Sequence, residues 1–143
     1  MTNLSKHFTL AELTATSHRQ FDNTPNEAET ANLQRLAELL EGVKEALGGK
    51  PVMVNSGFRC KAVNDSVGSK DTSQHRLGCA ADIRVPGVTP DEVVRAIIAA
   101  KLPYDQLIRE FDAWTHISVT NAPDGVPRQQ ALIIDKSGTR LFA

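Results

Sequence analysis

Cysteine is scarce, with Cys60 and Cys79 the only two in 143 residues. That is too few for a disulfide framework or a cysteine-rich zinc site. Two half-buried thiols are expected, with a late disulfide outside a reducing compartment as the alternative. Long apolar runs are missing too: none approaches the roughly 20 residues that cross a bilayer, so no membrane insertion is expected. No run of Lys and Arg occurs, and the formal net charge is −1 with 23% charged residues. This excludes the basic surface of a nucleic-acid binder, so no nucleic acid is expected as a partner. Met1 to Leu10 lacks the charged-then-apolar pattern of a secretory leader, which predicts a protein that is cytoplasmic when synthesised. Without repeats, low-complexity tracts or linkers, residues 1–143 read as a single domain large enough to bury a core.

What is present begins with three helix starts of one kind. Thr9-Leu10-Ala11-Glu12 is a capping box, with Phe8 and Leu13 as its hydrophobic staple. Thr24-Pro25-Asn26-Glu27 reads as a second, with proline at the first helical position. Thr89-Pro90-Asp91-Glu92 is the third, stapled by Val88 and Val93. The second helix is expected from about Pro25 to Leu47, because Leu33, Leu36, Leu40, Val43 and Leu47 form one stripe. Gly48-Gly49 ends it.

Lys50 to Asn55 reads as a short strand running into Ser56-Gly57-Phe58-Arg59. Residues 60–72 read as a loop with one helical turn near Ala62-Val63-Asn64. Asp82 to Val85 is the second strand, and Pro90 to Ala100 the third helix. Gln106 to Glu110 and Trp114 to Thr120 read as two strands with a tight connection, and Ala131 to Asp135 as the last strand. Helices first and short strands after predict an α+β fold, with N-terminal helices packed on a small central antiparallel sheet.

The stretch from Ser73 to Asp82 carries the chemistry. His75 and Asp82 flank Gly78, and a loop turning there into a strand aims an imidazole and a carboxylate at one point. Both donors suit Zn²⁺. Alone, the pair is equally a surface histidine and a strand-edge aspartate. A third donor decides, and His116 in the alternating strand Trp114-Thr115-His116-Ile117-Ser118 offers it. Two histidines and one aspartate leave a fourth position open, as in catalytic zinc sites. A hydrolase of this kind also needs a general base. Glu110, across the hairpin from Trp114, is preferred, with Asp112 at the turn behind it; the plain reading of both is solvated charge. Arg59 has the planar fork that clamps a carboxylate or a polarised carbonyl, although a surface pair fits its spacing as well.

Ser56-Gly57-Phe58-Arg59, Ser73-Gln74-His75 through Gly78 to Asp82, and Trp114-Thr115-His116 together resemble the zinc D-Ala-D-Ala carboxypeptidase and phage endolysin peptidase family. The similarity is to its short branch, with Trp-x-His as final motif, and the segments Phe8 to Leu13 and Asp22 to Pro25 extend it over nearly the whole chain. The resemblance implies a zinc metallopeptidase that hydrolyses peptidoglycan stem peptides, either as an endolysin-type endopeptidase or as a D,D-carboxypeptidase. It implies His75, Asp82 and His116 as metal ligands, Arg59 on substrate, and a carboxylate upstream of His116 as base. Better-known members place that acid three residues before the last histidine, where this chain has Ala113.

The resemblance also implies a phage- or prophage-type enzyme, acting on the cell wall after release from the cytoplasm. A monomer is expected, because no apolar helix face is left over. Two other readings compete. One is a non-catalytic cell-wall-binding or phage structural module of the same fold. The other is a zinc dipeptidase acting on another small peptide.

Overall fold

The computed structural model describes residues 2–142. Helix α1 (Leu10–Thr14) starts at the expected capping box, with Thr9 accepting from the Glu12 amide and Glu12 answering to the Thr9 backbone. Its staple residues Phe8 and Leu13 are buried. Helix α2 spans Glu27–Ala46 and starts two residues later than the sequence suggests. Asn26 is its N-cap and Glu29 the reciprocal partner, so a second and better-placed box displaces Thr24-Pro25-Asn26-Glu27. Strand β1 (Met53–Ser56), helix α3 (Lys61–Ser66) and one 3₁₀ turn (Gln74–Leu77) precede β2 (Ala80–Arg84). Helix α4 (Pro90–Ala99), the hairpin β3 (Gln106–Glu110) and β4 (Trp114–Ser118), then β5 (Gln130–Asp135) and β6 (Gly138–Leu141) complete the chain.

The fold is α+β, and its sheet departs from the expected wholly antiparallel one. Six strands run in the order β1-β2-β4-β3-β5-β6, and β3 pairs with β5 in parallel. Strand β5 begins at the sheet end where β4 finishes, so a connection that skips over β3 must place it parallel to β3. Asp105 pins that crossing: its carboxylate accepts from the Arg128 amide at 2.9 Å, and its carbonyl from Gln130 at 3.0 Å. The sixth strand, unanticipated from the sequence, pairs Leu132 with Leu141 and is exposed along its length.

Alternation divides the sheet's two faces. Ala81, Ile83, Leu107 and Ile117 point to one face, where they join Leu33, Leu36, Leu40 and Val43 of α2 and Val93, Val94 and Ile97 of α4 in a single buried core. Each such Val, Leu or Ile side chain contributes about 1.5–3 kcal/mol on burial. The opposite face carries the row Ser56, Asp82, His116, Ile108, all register partners across β1, β2, β4 and β3. The register shift between Val54 and Ser56 brings Ser56, rather than Asn55, opposite Asp82.

Candidate metal centre

Three segments bring the donors together. Asp82 stands mid-strand on β2, directly opposite His116 on β4. His75 comes from the 3₁₀ turn, capped by Ser73, whose hydroxyl accepts from the His75 amide. Gly78 then reverses the chain into β2 with φ +78°, and a Cβ there would lie 2.7 Å from the Glu29 carbonyl. Only glycine meets both conditions.

One donor atom from each of His75, Asp82 and His116 lies within 4.8 Å of the others. Asp82 Oδ1 is 3.0 Å from His116 Nδ1 and 3.4 Å from His75 Nε2. The ring centroids of His75 and His116 are 5.2 Å apart, edge to face. The far nitrogen of His75, Nδ1, sits 2.7 Å from the Gly57 carbonyl. That contact makes Nδ1 the donor and leaves Nε2 free of a proton on the side facing Asp82. Arg59 closes the other flank: its Nη2 donates to Asp82 Oδ2 at 3.3 Å, its Nε donates to Ser56 Oγ at 3.1 Å, and its amide donates to the His75 carbonyl at 3.0 Å.

Burial alone raises the Asp82 carboxyl, yet the contacts with His116 and His75 outweigh it and hold the group far below the usual carboxylate range. His75 is driven the other way: burial lowers it, against the pull of Asp82, which favours the neutral imidazole that a metal needs. An ionised carboxylate converging with two imidazole nitrogens is a borderline N/O donor set, and it fits Zn²⁺.

Glu110 shares this face, paired with Trp114 two register positions beyond Ile108 and His116. Burial raises its carboxyl, as does the charge of Asp82, while His116, Arg59 and the Trp114 indole pull it back. Asp112 is not brought into the cluster. It stands exposed in the hairpin turn, in a 3.1 Å charge contact with Arg109. Arg109 belongs to the helix-covered face, where it also meets Asp91 of α4 at 3.1 Å. Ala113 lies in the same connection, its amide donating to the Glu110 carbonyl at 3.0 Å.

A groove of about 690 Å³ opens beside His116 and Ile108, with Gln74, Asp105, Thr120 and Arg128 among its walls. A smaller pocket of about 220 Å³ lies past Ser56 and Arg59. Sequence reasoning missed the supports of the site. Gln74 Nε2 donates to Asp105, to the Val119 carbonyl and to Asn121 at 3.0, 3.0 and 2.8 Å, tying the His75 turn to the β3–β5 crossing. Its neighbour His75 was the only signal for it. Cys60 and Cys79 are free thiols, Cys79 fully buried.

These features define a class first: three converging donors that suit a zinc ion on an open sheet face, flanked by a carboxylate and a guanidinium. The Peptidase M15 family profile matches residues 6–118, and the chain belongs to that family. Over 79 residues it is 35% identical to the zinc D-Ala-D-Ala carboxypeptidase of Streptomyces albus G, a stretch covering 54% of this chain and 31% of that protein. The match thus spans less than a third of the curated relative's length. Among the described residues, no helix is long and apolar enough to cross a membrane.

Proposed function

We propose that residues 1–143 form a single zinc peptidase domain that hydrolyses peptide bonds in peptidoglycan stem peptides. The observation that carries this reading is the convergence of His75, Asp82 and His116 on one point of an open face that also presents Glu110 and Arg59. His75, Asp82 and His116 hold the metal. Zinc so held supplies a Lewis acid for the scissile carbonyl and lowers the pKa of an attacking water toward about 7.

The protein groups do the rest. Glu110 takes a proton as the water oxygen attacks the carbonyl carbon, and the rise in its basicity on burial suits that role. Arg59 donates to the oxyanion that develops. When the C–N bond breaks, Glu110 returns the proton to the leaving amine. The stem peptide lies along the groove beside His116, where Gln74, Thr120 and Arg128 offer polar partners. We extend the reading to a phage- or prophage-type enzyme, acting as a monomer on the wall after release from the cytoplasm.

Mass spectrometry of purified peptidoglycan, digested with zinc-loaded protein beside a chelated control, tests it. New peptide termini that depend on metal are the expected result, and their masses name the bond. A protein with one zinc per chain that binds peptidoglycan without producing termini would overturn peptidase action in favour of a binding module. Cleavage of free dipeptides alone would overturn the substrate.

A further inference from the structure

The sequence holds one tryptophan, and its indole Nε1 is buried with no hydrogen-bond partner. A buried N–H left unpaired is costly, and such an atom in a folded protein calls for an explanation. The acceptor at hand is Glu110. Trp114 and Glu110 are direct cross-strand partners, so their side chains leave the same face of the sheet.

The indole favours the ionised form of Glu110, although the contact falls short of an aligned hydrogen bond. Bonds of this kind are often long in empty sites and tighten when substrate arrives. The turn holds the indole in place: the Phe111 ring lies against it, centroids 6.2 Å apart and planes tilted by 44°. The other charged groups around Glu110 are Asp82, His116 and Arg59. Asp112 is occupied with Arg109.

We propose that Trp114 is a positioning residue for Glu110, its indole N–H holding one carboxylate oxygen so that the other faces the attacking water. The role rests on Glu110 as general base, and the tests separate the two ideas. In zinc-loaded protein, Trp114→Phe lowers kcat about ten- to hundredfold with little change in KM, as expected for a lost hydrogen bond to a charged group. The acid limb of its kcat–pH profile moves upward, which a merely structural role would not cause.

The second measurement needs neither activity nor a variant of Trp114. As the sole tryptophan, it reports its own surroundings: emission of the metal-free protein shows a step as Glu110 titrates, and Glu110→Gln removes that step. Unchanged kcat and acid limb in Trp114→Phe, beside an inactive Glu110→Gln, would overturn the positioning role alone. An emission titration identical in wild type and Glu110→Gln would do the same, even if Trp114→Phe failed to fold. An active Glu110→Gln would overturn the base, and this role with it.

Discussion

Asp82 and His116 face each other across β2 and β4, and one oxygen of the Asp82 carboxylate lies 3.0 Å from the His116 ring and 3.4 Å from His75. One acidic atom is thus shared by two imidazoles. His116→Ala is expected to lose both zinc and hydrolysis. Metal content after dialysis, with turnover of wall peptides measured on the same sample, checks this. Full activity in verified zinc-free His116→Ala would sink the assignment.

The two candidate bases separate cleanly. Glu110→Gln should keep zinc and lose turnover by about 10²–10⁴-fold. Asp112→Ala should leave turnover within about twofold, since it removes an exposed surface ion pair. The reverse pattern would transfer the role to Asp112. Because burial raises the Glu110 carboxyl, the folded state binds its proton more readily than the unfolded chain. Removing the charge should therefore stabilise the metal-free protein slightly above that raised pKa, and the gain should vanish below it. Thermal unfolding of Glu110→Gln and wild type at several pH values would show this.

Gly57 has two neighbours that cannot move. A Cβ there would run into the Leu13 carbonyl, and the Gly57 carbonyl itself holds His75 Nδ1 at 2.7 Å. Gly57→Ala should destabilise the fold by about 2 kcal/mol or more. It should also weaken zinc about 10–100-fold through the displaced His75 support. Urea unfolding and competition with a chelator measure the two effects; intact zinc affinity would show that the carbonyl contact is dispensable.

Arg59 holds Ser56 and Asp82 with different nitrogens of one planar group. Lysine offers a single point charge and cannot span both. Arg59→Lys should therefore resemble Arg59→Ala, with kcat/KM down by about tenfold or more. Recovery of wild-type kcat/KM in Arg59→Lys would mean that charge alone suffices.

Acid sensitivity should centre on Asp105 as well as Asp82. Burial raises the Asp105 carboxyl, but contacts with Arg128 and Gln74 outweigh it and hold the group below its ordinary value. The unfolded chain consequently takes up this proton first. The stability Asp105 contributes is present above the unfolded carboxyl value of about 4 and drains away as pH falls from there through its lowered folded value. Denaturant midpoints of metal-free protein should fall less steeply below pH 4 in Asp105→Asn than in wild type.

The sequence made the helices legible where side chains cap backbone locally. Thr9 with Glu12 and Thr89 with Glu92 behave as read. At α2 two overlapping boxes compete, and Asn26 with Glu29 wins; nothing in the spacing ranks them. That His75, Asp82 and His116 come together was legible because each stands in a short, distinctive neighbourhood. The parallel pairing of β3 with β5 was not, because it depends on how Asp105 captures Arg128, a contact between residues 23 apart. Trp114 was placed on the correct face by alternation, but an unpaired indole N–H is invisible until the strands are folded together. The Gln74 network depended likewise on Val119 and Asn121 arriving beside it.

The sheet's two faces answer to different selections. Because neighbouring residues of β2, β3 and β4 point opposite ways, a change at Ile83, Leu107 or Ile117 registers as altered stability. Under the proposed function, a change at Asp82, Glu110 or His116 is expected to register as altered chemistry. The segment between Ser118 and Gln130 borders the groove and leaves only Val119 in the central core. Variation there can remodel what the groove admits while the helices keep their hold on the other side. In a directed-evolution experiment, peptide preference and thermal robustness should accordingly map to largely separate sets of positions.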